Sequence, residues 1–70
     1  MKLYFLSSRG EKRLVKENVE VSEVAKEMGD YVKSLNPNYH IYYIRSWYSE
    51  DYKGTMYDVG SHSEFFLLVD

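Results

Sequence analysis

The sequence predicts an α+β fold in which a single helix packs on a small antiparallel sheet of three to five strands. Three observations predict it. One amphipathic helical pattern occupies residues 22–35, short runs of apolar and aromatic residues lie on both sides of it, and turn residues separate those runs. A chain of 70 residues buries only about 60% of the surface that its unfolded form exposes, so we expect a single domain spanning residues 1–70.

Before the helix, the sequence predicts one strand and then a second segment that forms either a strand or a loop. Residues 2–7 alternate so that both faces of a strand would be apolar. Arg9 and Gly10 then predict a turn. Residues 12–17 place an apolar pair inside a charged run, which is typical of a short edge strand. The predicted order is therefore ββαβββ, or βαβββ if residues 12–17 form a loop.

The helix has the clearest pattern in the chain. Ser22 is the expected N-cap, and Pro37 requires the helix to end near Leu35, because proline lacks an N–H and restricts the residue before it. Gly29 falls on the polar side, where it lowers helix propensity by about 1 kcal/mol relative to alanine. The predicted apolar stripe consists of Val24, Ala25, Met28, Tyr31, Val32 and Leu35.

Three strands are predicted after the helix. Residues 39–48, with the sequence YHIYYIRSWY, are dense in β-branched and aromatic side chains and predict the longest strand. The polar residues 49–54 form a loop, and residues 55–59 form a further strand. Gly60 and Ser61 provide a turn before a last strand over residues 64–69.

The predicted sheet has more apolar surface than one helix can cover. A helix of about 14 residues is roughly 21 Å long and covers a single face of a small sheet, yet three strands are apolar on both faces. Loops and exposed tyrosines could account for the second face, a homodimer could bury it face to face or through strand edges, or a different protein could bind it. The predicted partner-binding residues are Arg45, Trp47, Tyr48, Glu50, Asp51 and Tyr52.

Charge and composition argue against a protein built to neutralise phosphates. The formal net charge is −2, while aromatic residues make up 17% of the chain and include eight tyrosines. Single-stranded nucleic acid is one alternative partner, because bases stack on aromatic side chains of a sheet. A self-assembling structural component, which binds only copies of itself, is the other alternative. Glu50 and Asp51 lie next to that platform in sequence and would repel phosphates. The platform would consist of Tyr42, Tyr43, Trp47 and Tyr48 with Arg45 and Lys53.

No residue pattern indicates catalysis, so we expect a non-enzymatic protein without a cofactor or metal ion. Asp58, His62 and Glu64 could in principle bind a metal, but their spacing is not diagnostic of a metal site. Residues 61–64, with the sequence SHSE, resemble a hydrolase triad only in composition, because neighbouring residues of a strand point to opposite faces. The chain has no cysteine, and residues 1–6 are too short for a signal peptide or membrane span. We therefore expect a cytoplasmic protein that does not bind membranes.

The segment Tyr57-Asp58-Val59-Gly60-Ser61-His62-Ser63-Glu64-Phe65-Phe66, together with the size and composition of the chain, resembles short accessory proteins of bacteriophages and mobile elements. Small anti-CRISPR proteins belong to that group. The resemblance implies a protein that binds a host enzyme or defence nuclease complex stoichiometrically and inhibits or modulates it. It implies no role for any individual residue.

Overall fold

The computed structural model describes residues 1–60 and 63–70, in which one α-helix packs on one face of a five-stranded antiparallel sheet. The predicted α+β fold and the order ββαβββ are confirmed, including the strand that could have been a loop. The elements are β1 (Lys2–Leu6), β2 (Lys12–Lys16), a short 3₁₀ helix (Val21–Glu23), α1 (Val24–Leu35), β3 (Arg45–Ser49), β4 (Gly54–Asp58) and β5 (Phe65–Val69).

The last strand of the chain lies in the middle of the sheet. The strand order is β2-β1-β5-β4-β3, so β5 joins the β1–β2 hairpin to the β3–β4 hairpin. Leu67 of β5 pairs with Tyr4 on one side and with Met56 on the other, and Met56 pairs in turn with Trp47. A central strand has neighbours on both edges and little contact with water, which explains why β5 carries the continuous apolar run FFLLV.

The helix begins differently from the prediction and ends where it was predicted to end. Ser22 is not the N-cap, because residues 21–23 tighten into a 3₁₀ turn that starts the helical segment earlier. The backbone N–H of Glu20 donates to the carboxylate of Glu23 over 2.9 Å instead. At the other end the Asn36 N–H donates to the Val32 carbonyl over 2.9 Å, after which Pro37 prevents a further turn.

The predicted helical stripe is confirmed in its centre and wrong at two of its members. Val24 and Met28 are buried, and Tyr31 and Val32 are half-buried against the same core. Ala25 and Leu35 are exposed, Leu35 by 55%. Ala25 lies at the margin of the stripe and Leu35 is the last residue of the helix, and neither belongs to the core beneath the helix.

The prediction of a long strand over residues 39–48 is wrong for its first part, since β3 covers only Arg45–Ser49. Residues 36–44 instead connect the end of α1 to the far edge of the sheet. The Tyr39 hydroxyl donates to the Val59 carbonyl over 2.9 Å, and Ile41 packs against the core beneath α1. Tyr39 and Ile41 thus pack on the helix side of the sheet, and this packing overrides the β-propensity of the segment.

The apolar side chains form two clusters, one on each face of the sheet. The cluster beneath α1 contains residues of the helix, of β1 and β5, and of the loops at Val19 and Val59. Phe5, Tyr31 and Phe66 meet there with ring centroids 5.0–5.9 Å apart. The second cluster lies on the opposite face. It consists of Leu6, Met56 and Leu67, with Tyr4, Phe65 and Val69 packed around them.

Candidate functional site

The candidate site is the sheet face opposite α1, which we call the open face. The second apolar cluster contains side chains from β1, β4 and β5 alone, and no helix or loop residue in the described ranges belongs to it. β1 and β5 contribute apolar side chains to both clusters, one on each face of the sheet, and the helix covers one of those faces. The predicted strand over residues 39–48 is not apolar on both faces in this way, because β3 covers only Arg45–Ser49. The open face consists of Tyr4, Leu6, Leu14, Trp47, Met56, Phe65, Leu67 and Val69.

Exposure on the open face increases from its centre towards its two edges. Leu67, in the central strand, is 0% exposed and Met56 beside it is 7% exposed. Trp47 at one edge is 44% exposed and Leu14 at the other edge is 49% exposed. The middle of the face is therefore sealed by neighbouring side chains, and large apolar groups are exposed at its two sides.

Trp47 is held in place by its neighbours although it lies in an edge strand. It pairs with Met56 across the β3–β4 ladder. Its ring meets that of Phe65 edge to face, with centroids 6.0 Å apart and an interplanar angle of 81°. Such a contact stabilises a pair by about 0.5–1.5 kcal/mol beyond area burial. The exposed part of the indole is consequently presented in a fixed orientation.

An ion pair fixes one corner of the open face. Arg45 Nη2 donates to Asp58 Oδ2 over 2.6 Å, and the N–H of Gly60 donates to Asp58 Oδ1 over 2.9 Å. The hydrogen bond to Asp58, together with the negative charge of that carboxylate, raises the pKa of Arg45 above its ordinary value. The guanidinium also lies 5.7 Å from the centre of the Tyr43 ring. Asp58 is buried while the Arg45 side chain is 70% exposed, so the cation is oriented yet accessible.

The structure distributes the predicted partner-binding residues over one edge of the sheet. Arg45 and Trp47 lie on the open face, whereas Tyr48 points to the opposite face, because side chains alternate along β3. Tyr48 is 60% exposed there. Glu50, Asp51 and Tyr52 form the turn between β3 and β4, and all three are exposed. Their role in binding stays a prediction.

Several open-face residues were absent from the predicted site, although the sequence contained a signal for them. The alternation in β1 and β5 showed that both strands are apolar on two sides. Identifying Leu14 and Phe65 as neighbours of the site required the strand order, which places β5 between β1 and β4. Leu14 stands opposite Tyr4, whose ring lies 4.4 Å from the Lys12 ammonium.

The aromatic platform predicted for single-stranded nucleic acid is not assembled. Tyr42 and Tyr43 precede β3 and take no part in the sheet, with exposures of 87% and 50%. Trp47 and Tyr48 point to opposite faces of β3. Stacking of successive bases requires rings on one surface, so the predicted combination of side chains does not form such a surface.

The residues considered for metal binding and hydrolysis include two that the structure does not describe, Ser61 and His62. Among residues 1–60 and 63–70 no group of three His, Cys, Asp or Glu side chains is arranged to hold a metal ion.

The described helix is neither long nor apolar enough to cross a membrane. A cleft of about 450 Å³ lies at the C-terminal end of α1, and its walls are mainly apolar, with Phe5, Val32 and Phe66 among them.

Comparison with known proteins identifies no relative of this chain. No protein-family model matches the chain, and no curated protein or solved structure matches it either. The functional argument therefore depends on the geometry of the open face and of the strand edges next to it.

Proposed function

We propose that this chain is a non-enzymatic protein-binding module and that the open face is its binding surface. The observation that carries the proposal is the presence of large, partly exposed apolar side chains on a sheet face to which no described helix or loop contributes. Exposed apolar patches bordered by polar groups are typical of interaction sites. Arg45 and Lys12 supply such polar borders at the two edges.

The exposed part of Trp47 alone provides a useful amount of binding free energy. A large aromatic side chain buries about 150–250 Å² when it is covered, and 44% of Trp47 is still exposed. Covering roughly 100 Å² of apolar surface at about 25 cal/mol per Å² contributes about 2.5 kcal/mol. That magnitude is typical of a binding hot spot, a class in which tryptophan and arginine are enriched.

The open face covers about 400 Å², roughly half of the 800 Å² that each partner of a standard protein interface buries. Strands about 4.8 Å apart with a rise of about 3.3 Å per residue give a five-stranded sheet of about 24 × 17 Å. The apolar centre and charged margins match the anatomy of protein interfaces. A flat or gently curved apolar surface on another protein is the complementary partner.

The identity of the partner comes from the resemblance to bacteriophage accessory proteins and not from any contact in the fold. On that basis we propose that the partner is a cytoplasmic host protein, such as a defence nuclease complex, and that binding inhibits or modulates it. The predicted residues of the β3–β4 turn, Glu50, Asp51 and Tyr52, border the open face on the side of Trp47 and would contact the same partner.

The test compares variants of the open face with a matched variant on the helical side. Leu14→Glu and Trp47→Ala alter the two exposed ends of the open face. Val21→Glu alters an apolar side chain that is 62% exposed near the start of the helical segment. Each tagged protein is used to capture proteins from a lysate of its host cells, and the captured protein is then purified and titrated by calorimetry.

We expect the native chain and Val21→Glu to bind the same partner with equal affinity. Leu14→Glu and Trp47→Ala should lose at least tenfold in affinity, which corresponds to about 1.4 kcal/mol, while circular dichroism shows an intact fold. Unchanged binding by both open-face variants would overturn the proposal. Salt-dependent binding of a single-stranded oligonucleotide, with no captured protein, would favour the nucleic-acid alternative instead.

A further inference from the structure

The two edges of the sheet differ in how they resist pairing with another strand. At the edge formed by β2, three of the five residues are cations, Lys12, Arg13 and Lys16. The pairing register between β2 and β1 also shifts between Leu3 and Tyr4. Charges and irregularities of this kind are the devices by which proteins prevent edge-to-edge association. The β2 edge is therefore protected.

The opposite edge, formed by β3, lacks these devices. Its sequence is RSWYS, with neither lysine nor proline, and β3 pairs with β4 in an unbroken register from Arg45 to Ser49. The one charged residue, Arg45, is bonded to Asp58. No described strand lies on the outer side of β3. A regular strand of this kind presents the N–H and C=O groups of its outer side for pairing.

We propose that a second copy of this chain pairs with the outer edge of β3, antiparallel and about a two-fold axis at Trp47. In that register Arg45 stands opposite Ser49 of the second copy, and Trp47 stands opposite Trp47 of the second copy. Backbone hydrogen bonds across the axis join the two sheets into one, as in β-augmentation. The pairing is isologous, because each copy offers the same strand.

Charge complementarity favours a second copy of this chain as the partner of β3, and it favours antiparallel pairing. Each β3 starts at Arg45 and leads into Glu50 and Asp51, neither of which forms an ion pair within the described residues. Antiparallel pairing places the cationic end of each copy beside the acidic turn of the other, twice by symmetry. A guanidinium carries five N–H donors, so Arg45 can contact a second carboxylate while it remains bonded to Asp58. Pairing through β2 would instead place cations opposite cations.

The proposal concerns the edge of β3 and does not depend on a partner for the open face. Residues directly opposite each other in an antiparallel pair point to the same side. The two open faces would consequently lie on the same side of the joined sheet, with the two Trp47 side chains next to each other. Leu14 is far from this junction, at the other edge of the sheet, so Leu14→Glu should remove partner binding without changing self-association.

Cysteine cross-linking tests the register directly, because the native chain has no cysteine. Opposing Cβ atoms of paired strands are about 4.5–5.5 Å apart, and diagonal ones about 7–8 Å apart. Trp47→Cys should therefore give a disulfide-linked dimer under mild oxidation. Ser46→Cys, one residue from the axis, and Leu14→Cys, at the other edge, should give little. Equal cross-linking of Trp47→Cys and Leu14→Cys would overturn the proposed register.

Sedimentation of the native chain over a range of concentrations provides a second test that requires no substitution. We expect a monomer–dimer equilibrium that weakens as salt is added. The double variant Glu50→Lys with Asp51→Lys should weaken it by about tenfold. The control, Glu11→Lys with Glu17→Lys, makes the same change in charge near β2 and should leave it unchanged. A native chain that stays monomeric at its highest soluble concentration would refute the proposal.

Discussion

Adding one methyl group at Gly54, the first residue of β4, should destabilise the fold. Gly54 is buried where β4 approaches β5. A Cβ atom at this position would lie 2.5 Å from the Leu68 carbonyl oxygen and 2.6 Å from Cγ1 of Val69. The side chain of Val69 can rotate, whereas the carbonyl oxygen belongs to the backbone of the central strand. Gly54→Ala therefore requires the backbone itself to move.

The magnitude follows from that distance. Ordinary van der Waals contact begins at 3.4 Å, so the two strands must separate by about 0.9 Å in a closely packed interior. Overpacking of this kind costs about 1–3 kcal/mol. A domain of 70 residues has a total stability of about 3.5–10 kcal/mol at 0.05–0.15 kcal/mol per residue. Gly54→Ala should consequently lower Tm by about 4–24 °C, at about 4–8 °C per kcal/mol.

Gly29 is the matched control, because the same methyl group there meets no heavy atom within 4 Å apart from the backbone of its own helix and its chain neighbours. It lies in the middle of α1, where alanine improves helix propensity by up to about 1 kcal/mol. Gly29→Ala should therefore raise Tm. Urea denaturation followed by circular dichroism measures both variants, and an unchanged m-value shows that the unfolded state is comparable. A Gly54→Ala variant as stable as the native chain would refute the packing argument, and so would a loss of stability in Gly29→Ala.

Three further predictions concern the helix side of the sheet. Phe66→Ala should lower the free energy of unfolding by about 3–5 kcal/mol, since Phe66 is 0% exposed, and urea denaturation followed by circular dichroism should measure that loss. Tyr39→Phe removes the hydrogen bond to the Val59 carbonyl and should cost about 0.5–1.5 kcal/mol by urea denaturation. The hydrogen bond from Lys26, aided by its charge, holds the pKa of Asp30 below its ordinary value. The stabilisation by ionised Asp30 is therefore present above the pKa that Asp30 has in the unfolded chain, and it is lost as pH falls through the lower pKa of the folded protein. NMR titration of the carboxyl group should show this lowered pKa, and Lys26→Gln should raise the pKa of Asp30.

The elements with local patterns could be predicted from the sequence. The helix was identified from the spacing of Val24 and Met28 and from the position of Pro37, because a 3.6-residue period and a proline act on their immediate surroundings. The edge strand was predicted over residues 12–17 from its charges, with a loop as the alternative, and the structure has it at Lys12–Lys16. The N-cap was not predicted correctly. Whether Ser22 or Glu20 precedes the helical segment depends on a 3₁₀ turn, which the sequence pattern does not distinguish from the first turn of an α-helix.

Residues 39–44 could not be assigned correctly because local propensity and tertiary packing favour different structures there. The run resembles a strand in composition, but the chain must return from the end of α1 to the far edge of the sheet before β3 can begin. Tyr39 and Ile41 are used on that path to cover the helix-side core. The position of β3 at the edge is a matter of strand order, which composition does not determine. For the same reason the sequence predicted that the sheet has more apolar surface than the helix covers, but it could not predict which residues lie side by side on the open face.

The burial of Leu67 explains how a sheet with an apolar open face can exist as a folded monomer. Leu67 is 0% exposed although no described helix or loop belongs to its cluster. Its neighbours Tyr4, Phe65 and Met56 are larger or longer side chains of the same cluster. The open face thus shields its most apolar point by itself and leaves aromatic groups, which tolerate water, at its surface. A face that is already packed loses little conformational entropy on association, so binding free energy from Trp47 is retained rather than spent on ordering.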